Sequence, residues 1–411
     1  MTAFLAHWRA CFGQAARLLL LVVTCGLVAP QATAQAPHFG PCAEETNAPA
    51  ALVEALDRFL TELVDRNGDG SRIAGYAPGA VLWVTGPGWR YVRSAGTTSA
   101  DGGTPVDCEM PYQIGSATKM MTAALLLQLH EEGVLSVDDL LSDHMPELAR
   151  ALPHGNAITI RQLANHTSGV FSYTDNAPDG APGLMEAGAS DPDMLSVRYL
   201  PSELIAFAVE HGQPTFAPGT ERAWSYSNSG YVIIGQIIER VTGKPLESVF
   251  EERIFGPLGM HDSYLWSDIP RAHFGLPRSY LAAPFDVETT TWNMSQGWAA
   301  GAVISTADDM TAFIGALLEG HLFKDRETLD LMKQTVPTPL PSMPAYGLGL
   351  GDKTAGFWGH AGQTMGFSSD TGYQPEHNVA VVIWTNSAFN PSQTGVLSVS
   401  TALGALKIMP E

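Results

Sequence analysis

Apolar residues at Leu52, Val53, Leu56, Phe59, Leu60 and Leu63 recur at near-helical spacing, which predicts an amphipathic helix over 50–64. Two strand-like runs follow, Ala80 to Thr85 and Trp89 to Ser94, with Gly86-Pro87-Gly88 between them, and the pair reads as a hairpin. A mainly apolar stretch from Ser116 to Glu132, closed by Gly133, predicts a second helix. From Ser136 to Thr220, short helical patterns alternate with loops rich in Pro, Gly and Asp. One of these patterns, Ile158 to Ala164, leads into the loop Asn165-His166-Thr167-Ser168-Gly169. Ser229 to Thr242 places Tyr231, Ile234, Ile237, Ile238 and Val241 inward on a further helix that stops at Gly243. Ser305 to Glu319 reads as a helix capped by Ser305 or Thr306, with Asp308 and Asp309 in its first turn.

Beyond Trp358 the period shifts to that of strands, over Gly359 to Met365, Phe367 to Tyr373 and Val379 to Trp384. Pro391 to Ile408 is a closing helix. This order predicts an α/β fold: an antiparallel sheet flanked by helices, built from both chain ends, with an inserted, mainly helical domain. The sheet part is expected at about 48–115 and 295–411, the helical part at about 116–294.

The first 34 residues read as a secretory signal, with Arg9 and Arg17 as the only charges, an apolar core from Leu18 to Val28, and Ala32-Thr33-Ala34 at the cleavage position. The apolar run is shorter than the roughly 20 residues of a membrane span, so no stable membrane anchor is expected. A periplasmic or secreted location follows for residues 35–411. The formal net charge is −20, and it becomes more acidic once the two leader arginines are gone, which disfavours nucleic acid and anionic membranes as partners. Of four cysteines, Cys42 and Cys108 lie beyond the leader, and an oxidising compartment makes a disulfide between them the expectation. Asp65-Arg66-Asn67-Gly68-Asp69-Gly70 copies the first half of a calcium loop. Tyr76 stands where the bidentate glutamate belongs, so a tight turn is expected there, and no metal or cofactor is called for.

Lys119 is one of six lysines and the only one with a serine three residues before it, in Ser116-Ala117-Thr118-Lys119. Residues i and i+3 share a helix face, so the amine can reach the hydroxyl and activate it as a nucleophile. Tyr226-Ser227-Asn228 is the single Tyr-x-Asn among 11 tyrosines and sits in the turn that opens the Ser229 helix. A phenol beside an ammonium should have a lowered pKa and could relay protons, while the Asn228 amide can accept and donate at once. His360-Ala361-Gly362 opens a strand, where the glycine lets a substrate backbone approach. The backbone N–H of Gln363, with that of Ser116, could form an oxyanion hole.

With Ser-x-x-Lys, Tyr-x-Asn and His-x-Gly in that order, the chain resembles the penicillin-recognising serine hydrolases. It is most similar to the branch holding class C β-lactamases, the Streptomyces-type D-alanyl-D-alanine carboxypeptidase, and related esterases and D-amino-acid peptidases. His166-Thr167-Ser168-Gly169, Ala217-Pro218-Gly219, Phe255 to Met260 and Ala300-Gly301 belong to the same likeness. The resemblance implies Ser116 as nucleophile, Lys119 as acylation base, Tyr226 as proton relay, Asn228 as a substrate or lysine partner, and His360 on the cleft wall. His166 reads as scaffold behind the site. β-Lactamases of the family carry lysine where this chain has His360. A histidine of ordinary pKa should attract a substrate carboxylate only as pH falls below about 6.5. The expected activity is that of an exported serine hydrolase working through an acyl-enzyme. A D-alanyl-D-alanine carboxypeptidase or related D-peptidase comes first, an esterase on short acyl esters or a β-lactamase second. A penicillin-binding protein without hydrolytic turnover is the reading from another class. No Gly-x-Ser-x-Gly elbow, His-Glu-x-x-His zinc motif or Gly-x-Gly-x-x-Gly dinucleotide loop competes.

Overall fold

The computed structural model describes residues 39–64, 76–266, 275–281, 287–388 and 391–409. The leader and the Asp65 to Gly70 loop lie outside the described residues. The elements that matter below are β1 (Phe39–Thr46), α1 (Ala50–Leu63), β2 (Gly79–Gly86), β3 (Trp89–Gly96), α2 (Thr118–Glu131), α3 (Ile160–Ala164), α4 (Asn228–Thr242) and α5 (Ala307–Glu319). They continue with β4 (Val336–Leu340), β5 (Met343–Tyr346), β6 (Gly351–Asp352), β7 (Trp358–Gln363), β8 (Ser368–Gln374), β9 (Val379–Thr385) and α6 (Gly395–Ala405).

The nine strands form one sheet in the order β1-β3-β2-β9-β8-β7-β6-β5-β4. Every neighbouring pair is antiparallel. Both chain ends contribute, and they meet where β2 pairs β9, with Val81 opposite Trp384. The near-continuous apolar run of β9 is explained by burial on both faces. Val379, Val381 and Ile383 pack with Leu52, Leu56, Leu60 and Leu63 of α1 and with Val396, Val399 and Leu403 of α6. Ala380, Val382 and Trp384 point the other way, into the core shared with α2, α4 and α5. Helix α2 is buried nearly all round, from Thr118 through Leu127, which accounts for apolar residues on every side of it.

Some boundaries differ from the sequence expectation. Strand β1 has a largely exposed, mixed pattern and lacks the alternation that marks a strand; backbone pairing with β3 makes it an edge. Strands β4 to β6 precede Trp358; Pro337 and Pro339 lie on the edge strand β4 and Pro344 at a register shift in β5, positions that tolerate proline, while β6 is only two residues long. Helix α4 is capped by Ser227, whose Oγ accepts from Gly230 N at 3.4 Å, so Asn228 is its first helical residue rather than its cap. Helix α5 is capped by Thr306, which accepts from Asp309 N at 3.2 Å, and Ser305 instead ends the short strand Val303–Ser305. Among the described residues, no helix is long and apolar enough to cross a membrane.

Cys42 on β1 is disulfide-bonded to Cys108, with a Cα–Cα distance of 6.0 Å and a sequence separation of 66. A loop of that size restrains the unfolded chain by about 4 kcal/mol in the entropy treatment. Reduction with dithiothreitol is therefore expected to lower the melting temperature, and the unfolded, unreduced protein should titrate no thiol from this pair. Recovery of two thiols would remove the bridge.

Candidate active site

Ser116 sits in a 3-10 turn, Gly115–Ala117, that leads directly into α2. Gly115 has φ +56°, and a Cβ there would lie 2.6 Å from the backbone N of Gln363. Only glycine allows both the left-handed backbone and the close passage of β7 beside the serine. The one-turn offset along the chain brings Lys119 Nζ to 3.1 Å from Ser116 Oγ.

Lys119 is completely buried. Its Nζ donates to Asn228 Oδ1 and to the Ala300 carbonyl, both at 2.7 Å. Burial holds its pKa well below the usual lysine value. In its neutral form, which burial favours, the amine has two N–H donors and one lone pair. The two carbonyl acceptors consume the donors, which leaves the lone pair for the Ser116 hydroxyl. The arrangement is that of a base next to a nucleophile.

Asn228 is held at both ends. Its Oδ1 takes the lysine, its Nδ2 donates to Thr174 Oγ1 at 3.0 Å, and its backbone N donates to Ser172 Oγ at 3.1 Å. Of the two roles expected for it, substrate or lysine partner, this geometry matches the second. Ser172, Thr174 and the Ala300 carbonyl went unassigned at the level of sequence. Ala300-Gly301 alone carried a signal, as part of the family likeness.

Tyr226 lies beside Lys119, whose Nζ is 4.8 Å from the ring centroid. Its hydroxyl is buried without a full hydrogen bond, although Ser116 acts on it. The expected lowering of its pKa is not found. Burial raises it, outweighing the lowering by Ser116. Tyr226 is thus a protonated phenol near neutral pH.

His360 requires a larger correction. It is 3% exposed, its Nε2 lies 2.9 Å from the Tyr346 hydroxyl, and its Nδ1 lies 2.5 Å from the Ala361 carbonyl. The carbonyl can only accept, so Nδ1 carries the ring proton and Nε2 accepts from Tyr346. Burial, reinforced by Lys119, pushes its pKa down to about 3. The ring is neutral and fully committed within an aromatic cluster with Tyr226 and Tyr346, rather than presented to a ligand. Nearby Lys353 is neutralised by Asp370 at 2.6 Å, so it offers no free charge either.

Gly362 also has a different reason from the expected one. A Cβ there would meet the Ile114 carbonyl at 1.8 Å and Ser369 Oγ at 2.5 Å. The missing side chain makes room for the chain's own segment leading to Ser116. Gln363, partly exposed on the opposite face of β7, keeps its backbone beside Gly115 and its side-chain Oε1 bonded to Gln393 Nε2 at 2.6 Å.

Residues 56–403, most of the chain, match the sequence profile of the beta-lactamase family. The chain belongs to that family. Among curated relatives, a Bacillus subtilis protein named for penicillin binding, PbpX, is 26% identical over 67% of this chain, which spans 62% of that relative. The Escherichia coli protein named D-alanyl-D-alanine-carboxypeptidase/endopeptidase AmpH is 26% identical over 71% of this chain and 70% of its own length. Among solved structures, the D-amino acid amidase from Ochrobactrum anthropi superposes with a TM-score of 0.73 at 26% identity, over 87% of this chain and 100% of that one. Family membership makes this a serine-hydrolase fold, with the sheet and helices described above.

Gly362→Ala is expected to separate β7 from the Ile114–Ser116 turn. Hydrolytic activity should fall by about 100-fold, since a displacement of the order of an ångström misaligns the reacting groups. Activity within twofold of the parent would show that β7 can shift freely.

Proposed function

We propose that this protein is an exported serine hydrolase that acylates Ser116, and that its substrates are D-amino-acid amides, D-peptides or short acyl esters. The observation that carries the reading is the hydrogen-bond set of Lys119. With both N–H groups engaged by Asn228 and Ala300, its lone pair takes the Ser116 proton as Oγ bonds to the substrate carbonyl carbon. The oxyanion that forms meets the N–H groups of Ser116 and Gln363. Tyr226, still protonated, donates to the departing amine or alkoxide as the carbonyl–leaving-group bond breaks, and regains a proton from Lys119. Water repeats the sequence in reverse to free the acid.

Substrate choice follows from the charges. The neutral ring of His360 and the Lys353–Asp370 pair provide no cation for a substrate carboxylate. The D-amino acid amidase likeness, in which the scissile group needs no free carboxylate beside it, fits this better than strict carboxypeptidase action. The D-alanyl-D-alanine carboxypeptidase reading stands second, supported by the AmpH relative. Export rests on the leader and on the Cys42–Cys108 bridge.

Two measurements test this. Intact-mass spectrometry over time, after mixing with a β-lactam or a p-nitrophenyl ester, should show a covalent adduct. Ser116→Ala should lose that adduct and at least about 10⁴-fold in turnover while keeping its melting temperature. An adduct on the alanine variant would move the nucleophile elsewhere.

The second measurement concerns pH. His360 is neutral above about 3, so the ratio of kcat/KM for a D-alanyl-D-alanine peptide to that for a neutral ester should stay flat from pH 5 to 8. Between about 3 and the ordinary value of 6.5 the unfolded chain binds a proton at His360 that the folded one does not. His360 therefore lowers stability as pH falls through that window, without touching the ratio. A ratio that drops through about pH 6.5 would restore a carboxylate-reading histidine.

A further inference from the structure

His166 meets the Tyr226 segment in three ways at once. Its carbonyl accepts from Ser225 N at 3.0 Å, and its Nδ1 accepts from Ser227 N at 3.1 Å. Its ring lies 4.3 Å from that of Tyr226, tilted by 40°. The residues on either side of the phenol are thus bonded to one side chain and its own backbone. We infer that His166 is a positioning residue for Tyr226, clamping the two peptide N–H groups that flank the phenol while its ring buttresses the phenol face.

The clamp is maintained at a cost. His166 follows α3 with φ +64°, a left-handed conformation that disfavours any residue with a side chain. Because Nδ1 accepts from Ser227, the ring proton must sit on Nε2. That N–H is buried and has no hydrogen-bond partner among the described residues. Around it stand the rings of Tyr231 at 5.5 Å, Tyr346 at 4.9 Å and Trp224, edge-on, at 5.6 Å. A strained backbone and an orphaned buried donor on the same residue are the kind of outlier that structural packing alone does not reward.

His166 is 1% exposed and bonds neither Ser116 nor Lys119. Burial, with Lys119 and His360 adding to it, holds its pKa well below the ordinary histidine value, so it does not shuttle protons near neutral pH. Its effect passes through the placement of Tyr226, and in that sense it rests on the function proposed above.

Two substitutions separate the parts of the clamp. In His166→Phe the ring remains but the acceptor for Ser227 is lost. In His166→Asn the amide oxygen occupies nearly the Nδ1 position, and asparagine tolerates the left-handed backbone, so the acceptor survives without the ring. Hydrogen–deuterium exchange at the Ser225 and Ser227 amides reads the clamp directly. Kinetics on a D-amino-acid p-nitroanilide, normalised to acylatable serine, read its consequence. His166→Phe should lose protection at Ser227 and lower kcat by about 10–100-fold, with KM within about twofold. His166→Asn should keep Ser227 protected and recover most of kcat, and amides of α4 beyond Tyr231 should be unchanged in both.

Unaltered Ser227 protection in His166→Phe would overturn the inference, as would a kcat equal to that of the parent. Should His166→Phe not fold, an unprotected Ser227 in His166→Asn overturns it, and a protected one supports it. A parent enzyme that never acylates would instead defeat the proposed function, while the exchange experiment would still decide the clamp.

Discussion

The site depends on one buried amine. Burial without exposure to water disfavours the charged form of Lys119, and its N–H groups must find acceptors inside the protein. Those acceptors come from far along the chain: Asn228 at the start of α4 and the carbonyl of Ala300. The same face of α2 fastens the rest of that segment, since Thr122 Oγ1 donates to the Ala299 carbonyl at 2.7 Å and Thr118 Oγ accepts from Val303 N at 3.2 Å. Thr118, Lys119 and Thr122, in the N-terminal part of α2, thus hold the segment that packs against the amine. The all-round burial of α2 is what shifts this amine toward its neutral, lone-pair form.

Around this amine the charges are arranged to cancel or to be absent. The buried Lys353–Asp370 pair joins β6 and β8, and Asp370 Oδ2 also accepts from Val396 N at 3.0 Å, which fixes the start of α6. His360 and His166 are both held neutral by the same burial that acts on Lys119, and each lowers its charged form further by proximity to it. A second cation in this cluster would further disfavour a proton on Lys119. The histidine ring is therefore compatible with the base in a way that a charged side chain packed at the same place would not be.

Glycines set the spacing between the nucleophile and the strand beside it. Gly115 and Gly362 face each other's segments across contacts of 2.6 Å and 1.8 Å for any added Cβ, against Gln363 N and the Ile114 carbonyl respectively. The distance of the Gln363 N–H from the serine turn is set by the absence of these two side chains. That is a backbone constraint, and it accounts for a motif glycine without reference to any ligand.

The sequence by itself determined the elements and the pairing of Ser116 with Lys119, because both depend on short-range periodicity. A helical repeat puts residues three apart on one face, and short runs of strand-forming residues bounded by turns mark β2, β3, β8 and β9. It also carried the family likeness, through motifs whose order along the chain is visible without coordinates. It could not determine what lies opposite each motif in space. The exposed edge strand β1 lacked a hydrophobic signal, β4 and β5 were masked by proline, and β6 is only two residues long. The pKa of Tyr226 moved up where a lowering was expected, and that of His360 fell well below the ordinary histidine value assumed for it. Desolvation is set by how many distant segments close over a group, and only tertiary packing decides that. For the same reason, the sequence could place His166 behind the site as scaffold but could not show that its two acceptors face the N–H groups of residues 225 and 227.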